Sequence, residues 1–316
     1  MKASLLLVLT IMSIAVIFPA FLANYKTENV IQASGAPEWL VIEGLVENPL
    51  NISYAKLRNF PQISEVTMLQ CVGGGQGGYT VTYNWGGIPL FYLLSMAKVI
   101  PGDYREVVFR ATDLFSSSVT LQTAMEPTTI LALWANGTDL EQVPYWFGRG
   151  YRVVLPCRWG YKWVKWVNRI TIVDYDYKGT YEQLGYSDEA FRPNCTMPET
   201  NPPIQNFTGI GLIEYFVQAL SSSSIETFSY NPYTKLVFNI SGPEASSGYF
   251  YVRFLKDFLA GPYQVYMNGN PIEYSQTEAD GNVYLCFTYA HSSHTIIIEG
   301  TLEGVGGGGG RIYLIR

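Results

Sequence analysis

Histidine is nearly missing from this chain of 316 residues: only His291 and His294 carry an imidazole, so acid–base or metal chemistry elsewhere must run without one. Cysteine is scarce as well. Cys71, Cys157, Cys195 and Cys286 stand too far apart for a CxxC zinc or dithiol motif or for a CxxCH haem attachment. Cys157 and Cys195 are able to bridge, but their spacing leaves the pairing open. The glycine run CVGGGQGG, Cys71 to Gly78, lacks the Gly-Lys-Ser/Thr ending that contacts terminal phosphates, which argues against a nucleotide P-loop. Positive charge is also short: 20 Lys and Arg against 26 Asp and Glu give a net −6, and this argues against nucleic acid as a partner.

The cations that are present cluster. Between Gly148 and Gly179 the stretch GRGYRVVLPCRWGYKWVKWVNRITIVDYDYKG sets Arg152, Arg158, Lys162 and Lys165 among Trp159, Tyr161, Trp163 and Trp166. Gly148, Gly150 and Gly160 allow backbone to approach a ligand closely. Cation, ring and glycine together suit a flat phosphorylated ligand. The same pattern also packs Arg and Lys stems over exposed indole faces, at roughly 0.5–1 kcal/mol per contact. A second candidate is Cys71, at the end of an expected strand and followed by Gly73 and Gly74, which would let a large planar ligand reach the sulfur. A buried core cysteine has the same signature.

Lys2 precedes an apolar run, Ser4 to Ala23, long enough to cross a bilayer, so residues 1–24 read as a signal peptide or an uncleaved membrane anchor with the rest of the chain outside. Sequons at Asn51, Asn136, Asn194, Asn206 and Asn239 agree with an extracellular location or the outer face of the cell membrane. Residues 36–200 are expected to form an α+β domain. Its strands are placed at Trp39–Val46, Glu65–Cys71, Val107–Arg110, Ser118–Gln122 and Ile170–Asp174, with an amphipathic helix over Leu90–Val99 and a tight turn at Asn136-Gly137. Pro193 to Pro203 marks a boundary, and Ile210–Leu220 is expected to be a helix. Residues 226–303 alternate in short runs between turns, the pattern of an antiparallel all-β sandwich. His291 and His294, at i and i+3, have no third ligand nearby and read as structural. The Gly-rich tail, residues 304–316, has no assignment.

Taken in order, LQC at Leu69–Cys71, WGGIPL at Trp85–Leu90, ANG at Ala135–Gly137, YRVVLPCRWGYKWVKWVNRI at Tyr151–Ile170 and DYKG at Asp176–Gly179 resemble the sulfite-oxidase type of molybdopterin-binding domain. The resemblance covers roughly Trp39 to Ala190. It implies a molybdenum–molybdopterin cofactor with Cys71 as the protein ligand to the metal, as a soft thiolate. It implies that Arg152, Lys162 and Lys165, with Gly73 and Gly74, hold the pterin and its phosphate, and that Tyr177 orients an oxygen atom beside the metal. The activity implied is that of an exported oxidoreductase, which transfers an oxygen atom to or from a small-molecule substrate and passes electrons to a separate electron-transfer partner.

Departures from the family pattern are specific. Phe147 stands where the family has a histidine, Cys157 where glycine is common, and Trp163 where a phosphate-contacting serine is frequent. The arginines that bind sulfite are replaced within Val72 to Gln76, and no twin-arginine signal lies between Met1 and Ala23. The alternative these departures raise is a cofactor-free cell-surface binding or structural protein that retains the fold. The later stretches SGPEASSGYFYVRFLKDFLAGPYQVYMNGNPIEY and FTYAHSSHTIIIEG resemble a β-sandwich module of archaeal cell-surface proteins.

Overall fold

A computed structural model describes residues 37–73, 79–143, 150–210, 214–244 and 246–301. The expected signal or anchor, the Gly-rich tail, and Gly74, Phe147 and Gly148 lie outside the described residues. Among the described residues no helix is long and apolar enough to cross a membrane.

Period-two alternation builds most of the first half. Its strands are β1 (Trp39–Gly44), β2 (Leu50–Ser53), β3 (Ile63–Gln70), β4 (Thr80–Pro89), β5 (Glu106–Ala111), β6 (Ser116–Thr120), β7 (Ile130–Ala135), β8 (Thr138–Asp139), β9 (Arg152–Val154) and β10 (Val167–Val173). One sheet runs β2-β1-β10-β5-β6, and a second runs β3-β4-β7-β8 with β9 on β7. The only parallel pair among the described residues is β1 with β10, at Val41↔Arg169 through Gly44↔Ile172. Strand β3 buries Ile63, Glu65, Thr67 and Leu69 while Val66 faces solvent, and the same parity carries on to Cys71. Asn136 and Gly137, both at positive φ, close the β7–β8 hairpin as the Asn-Gly pair requires.

Helix is sparse, so the expected α+β character reduces to a mostly β fold with three short helices among the described residues: α1 (Tyr54–Leu57), α2 (Leu90–Ala97) and α3 (Leu121–Ala124). The Ser53 hydroxyl caps α1 by accepting from Lys56 N at 3.3 Å. The helix read as amphipathic, α2, is buried almost all round, at Leu90, Phe91, Leu93, Leu94, Ser95 and Ala97. Its outer side is covered by the second half of the chain: Phe91 packs on Tyr251 with ring centroids 3.9 Å apart.

The second half is all-β: β11 (Thr200–Asn201), β12 (Gln205–Ile210), β13 (Glu214–Ser221), β14 (Ser224–Asn231), β15 (Lys235–Ser241), β16 (Ser247–Leu255), β17 (Ala260–Met267), β18 (Asn270–Pro271), β19 (Ser275–Ala279), β20 (Asn282–Ala290) and β21 (His294–Thr301). β11 joins the first half by pairing with β3. The others form two antiparallel sheets, β12-β13-β16-β20-β19 and β14-β15-β21-β17-β18, which share a core including Val217, Phe238, Phe250, Val252, Phe254 and Ile298. The helix expected over Ile210–Leu220 is instead the strand β13. Tyr215, Val217 and Ala219 are buried whereas Phe216 is 67% exposed, a period of two that strong helix formers in the segment had masked. The all-β half therefore starts at Gln205, before the expected residue 226. Arg253 of β16 ties it to the first half through Glu126 at 2.8 Å, and the Tyr251 hydroxyl donates to Met125 O at 3.1 Å.

One inward position of β3 is out of keeping with a core. Glu65 is 2% exposed, and among the described residues neither of its carboxyl oxygens has a hydrogen-bond partner. Burial pushes its pKa well above the usual carboxylate value. The folded state then holds a proton that the unfolded chain releases above about pH 4.5, so this group's contribution to stability is full at low pH and is lost as pH rises towards the folded pKa. Glu65→Gln is expected to raise Tm at pH 8 and to leave it nearly unchanged at pH 4, with a gain of about 1–3 kcal/mol at the higher pH; scanning calorimetry of both proteins across that range checks it.

Candidate functional site

Strand parity and one cross-strand bridge assemble the site. At the end of β3, the backbone N–H of Cys71 donates to Tyr79 O at 3.0 Å, closing the ends of the glycine loop. Tyr79, Val81, Tyr83 and Trp85 share one parity along β4 and all face a cavity of about 480 Å³, which Leu69, Cys71, Val72, Phe115, Arg152, Gly160, Tyr161, Lys165 and Tyr181 also line. The alternation in YTVTYNW was a legible signal for that aromatic wall; Phe115 and Tyr181, from separate loops, had none.

Arg152 and Lys165 meet because their backbones form an antiparallel bridge. The Arg152 guanidinium lies over the Trp85 ring at 5.5 Å, and the Lys165 ammonium lies over Trp166 at 3.9 Å. Burial lowers the Arg152 pKa to about 10. Lys165 is lowered first by burial and then by the nearby positive Arg152. Two cations brought together and partly desolvated favour an anionic guest that offsets both charges. Gly160 lets the cationic segment press against the cysteine-bearing strand, since a Cβ there would sit 2.9 Å from Gln70 O and from a Leu69 methyl.

The cysteine expected as metal ligand and two of the expected cations thus converge on one cavity. Other expected site residues do not join them. Lys162 is 1% exposed and sits in an internal ion pair, its Nζ 2.6 Å from Glu182, 3.2 Å from Asp188 and 2.9 Å from Ser118 O. It falls on the 3-10 turn Gly160–Lys162, which points it into the core, whereas Lys165 lies beyond the turn and on the cavity. The Tyr177 hydroxyl donates to Ser116 Oγ at 3.0 Å, its ring lies under Arg110, and it is absent from the cavity lining. Gly73 is exposed, with open space where a Cβ would stand.

Cys157 and Cys195 form a disulfide, and Cys71 and Cys286 are free thiols, exposed and buried respectively. The bridge closes a loop across a separation of 38 residues, worth about 4 kcal/mol in the chain-entropy account. Beside it Arg192 reaches Gln70 Oε1 at 3.3 Å, one residue before Cys71, a contact without a sequence signal. His291 is held between Ser222 and Ser246, and His294 bonds Ser292, Ala290 O and Asn268, so both imidazoles are engaged in the all-β half.

These residues fit the group that the motifs imply: a free, soft cysteine sulfur for a metal, two close cations for a phosphate, and aromatic walls for a flat ring system. Residues 30–181 match the family model of the oxidoreductase molybdopterin binding domain. The catalytic subunit of a protein-methionine-sulfoxide reductase from Gluconobacter oxydans is 28% identical over 184 residues, 53% of this chain and 56% of that protein. A nitrate reductase [NADPH] from Neurospora crassa is 32% identical over 160 residues, 42% of this chain and 16% of that protein. The chain thus spans little more than half the length of the first relative and a small part of the second. Among solved structures, the sulfane dehydrogenase SoxCD from Paracoccus pantotrophus aligns with 80% of this chain and 63% of its own, at 20% identity and a TM-score of 0.42.

The two lysines of KWVK should separate cleanly on substitution. Lys162→Met strands Glu182 in the core and is expected to cost about 3–5 kcal/mol in urea unfolding. Lys165→Met relieves repulsion from Arg152 and should leave stability within about 0.5 kcal/mol of the parent, while weakening the binding of inorganic phosphate measured by calorimetry.

Proposed function

Because residues 30–181 belong to the oxidoreductase molybdopterin-binding domain family, which makes this an oxidoreductase domain, we propose that the cavity at the end of β3 holds the cofactor. In this reading Cys71 ligates molybdenum, and Arg152 and Lys165 hold the phosphate of the pterin. The observation that carries it is their convergence, from two separate stretches of the chain, on one aromatic-walled cavity. When bound, the cofactor supplies two-electron oxygen-atom transfer, and the protein contributes position, charge and exclusion of water.

The substrate we propose is a small neutral oxide whose oxygen is removed or added. Val72 to Gln76 carries no arginine to receive a sulfite or nitrate anion, and Arg152 and Lys165 are assigned to the cofactor. Tyr79, Tyr83, Tyr161 and Tyr181 instead offer ring faces and edges, which suit a sulfur-bearing group at about 0.3–1.5 kcal/mol per contact. A sulfoxide of the kind named for the methionine-sulfoxide reductase relative fits that description. The reading places the chain on the outer side of the cell membrane, where the Cys157–Cys195 disulfide persists, with a separate electron-transfer partner. The all-β half, read as a β-sandwich module of cell-surface type, supports the site by packing Tyr251 on α2.

Expression in a molybdopterin-producing host is expected to yield near-stoichiometric molybdenum by mass spectrometry, together with pterin fluorescence after denaturation. Cys71→Ser should fold with unchanged Tm and lose the metal. A well-folded parent carrying neither metal nor pterin would overturn the assignment.

A further inference from the structure

Where the two halves meet, the C-terminal part of α2 faces β20 and the segment leading into β19 across a second cavity, of about 640 Å³. That volume lies within the roughly 300–1,000 Å³ of small-molecule sites, which gather where domains adjoin. Its wall is not finished as a core would be. Ser95 of α2 is 2% exposed and lines the cavity, and its hydroxyl has no hydrogen-bond partner among the described residues. Buried polar atoms are nearly always paired, so a hydroxyl left open on a cavity wall marks a place for a polar atom of a guest.

The charged side chains on the lining are one of each sign, Lys98 just after α2 and Glu273 just before β19. Among the described residues neither forms an ion pair or a side-chain hydrogen bond, so they do not neutralise each other. Lys98 is held in place by the backbone: at φ 55° it ends the helix, and its N–H donates to Ser95 O at 3.1 Å. Cys286 also lines the cavity, but burial pushes its thiol up to about 12, so it adds a neutral wall and no thiolate for a metal. One cation sharing a cavity with one anion does not suit a phosphate or any plain anion, which the carboxylate would repel. A molecule carrying both charges satisfies both.

We propose that this cavity binds a small zwitterion, a free α-amino acid with an apolar side chain. Lys98 receives its carboxylate, Glu273 its ammonium, and the Ser95 hydroxyl takes up a remaining polar atom. Met96, Ile272 and Phe287, also on the lining, receive the apolar side chain. Because the lining comes from both halves, the guest stabilises their union. The site is independent of the molybdopterin reading, since the cavity at the end of β3 shares no lining residue with it.

The probe is L-leucine, titrated by calorimetry into the full chain. It is expected to bind and to raise Tm. Leucine methyl ester, which lacks the carboxylate, and N-acetyl-leucine, which lacks the ammonium, should each bind about tenfold more weakly or worse. Lys98→Met and Glu273→Gln should weaken L-leucine by a similar factor with Tm of the free protein unchanged. The control pair Lys235→Met and Glu244→Gln, on the all-β half, should change it less than about twofold. Lys165→Met, at the other cavity, should leave it intact. No binding of L-leucine at millimolar concentration overturns the proposal, as does equal binding of the ester and the acetyl derivative, or binding that Lys165→Met abolishes. The two analogues decide the matter even where a variant fails to fold.

Discussion

A single buried ion pair, Lys162 with Glu182, holds the two sides of the cavity in register. Both side chains are 1% exposed, and the ammonium also meets Asp188 and the backbone oxygen of Ser118. One cation thus joins β6, the turn before Lys165, and the segment that brings Tyr181 to the cavity. A buried ammonium without its carboxylate would cost several kcal/mol, so these three elements stay together or separate together. The aromatic wall and the cationic wall are positioned by a residue that touches neither guest nor solvent.

The remaining charges divide by environment. Lys162 is neutralised inside the protein, whereas Arg152 and Lys165 are drawn together by a backbone bridge and lowered in pKa by burial. Such strain is common where a protein prepares for a ligand rather than for its own stability. The cost is met by a large scaffold: two sheets in the first half, two more in the second, and contacts between the halves through Phe91, Tyr251, Glu126 and Arg253.

Much of the first half was legible from sequence because its strands are separated by strong punctuation. Pro89 precedes α2, Asn136-Gly137 closes a hairpin, and ISEVTMLQ alternates cleanly. Cys71, Arg152 and Lys165 could be gathered into one site from motif order alone. What could not be read was direction. KWVK offers two similar lysines, and only the 3-10 turn decides that one enters the core, where its partner lies twenty residues on at Glu182. Nor could the direction of Tyr177 be read, whose hydroxyl turns to Ser116. EYFVQALS misled because Ala, Leu and Gln favour helix locally, while the core of two facing sheets imposes a period of two.

The parallel pairing of β1 with β10 has a consequence for how the molecule comes into being. β10 is the central strand of its sheet, flanked by β1 and β5, yet it is the last strand of that half to leave the ribosome. Until Val167–Val173 arrives, β1 and β5 have no partner on their facing edges, and Val107, Val108 and Phe109 wait uncovered. Closure of so distant a contact is slow and leaves sticky edges open meanwhile. The central strand of that sheet is therefore the last to be made, and its hydrophobic neighbours are paired across it only once it arrives.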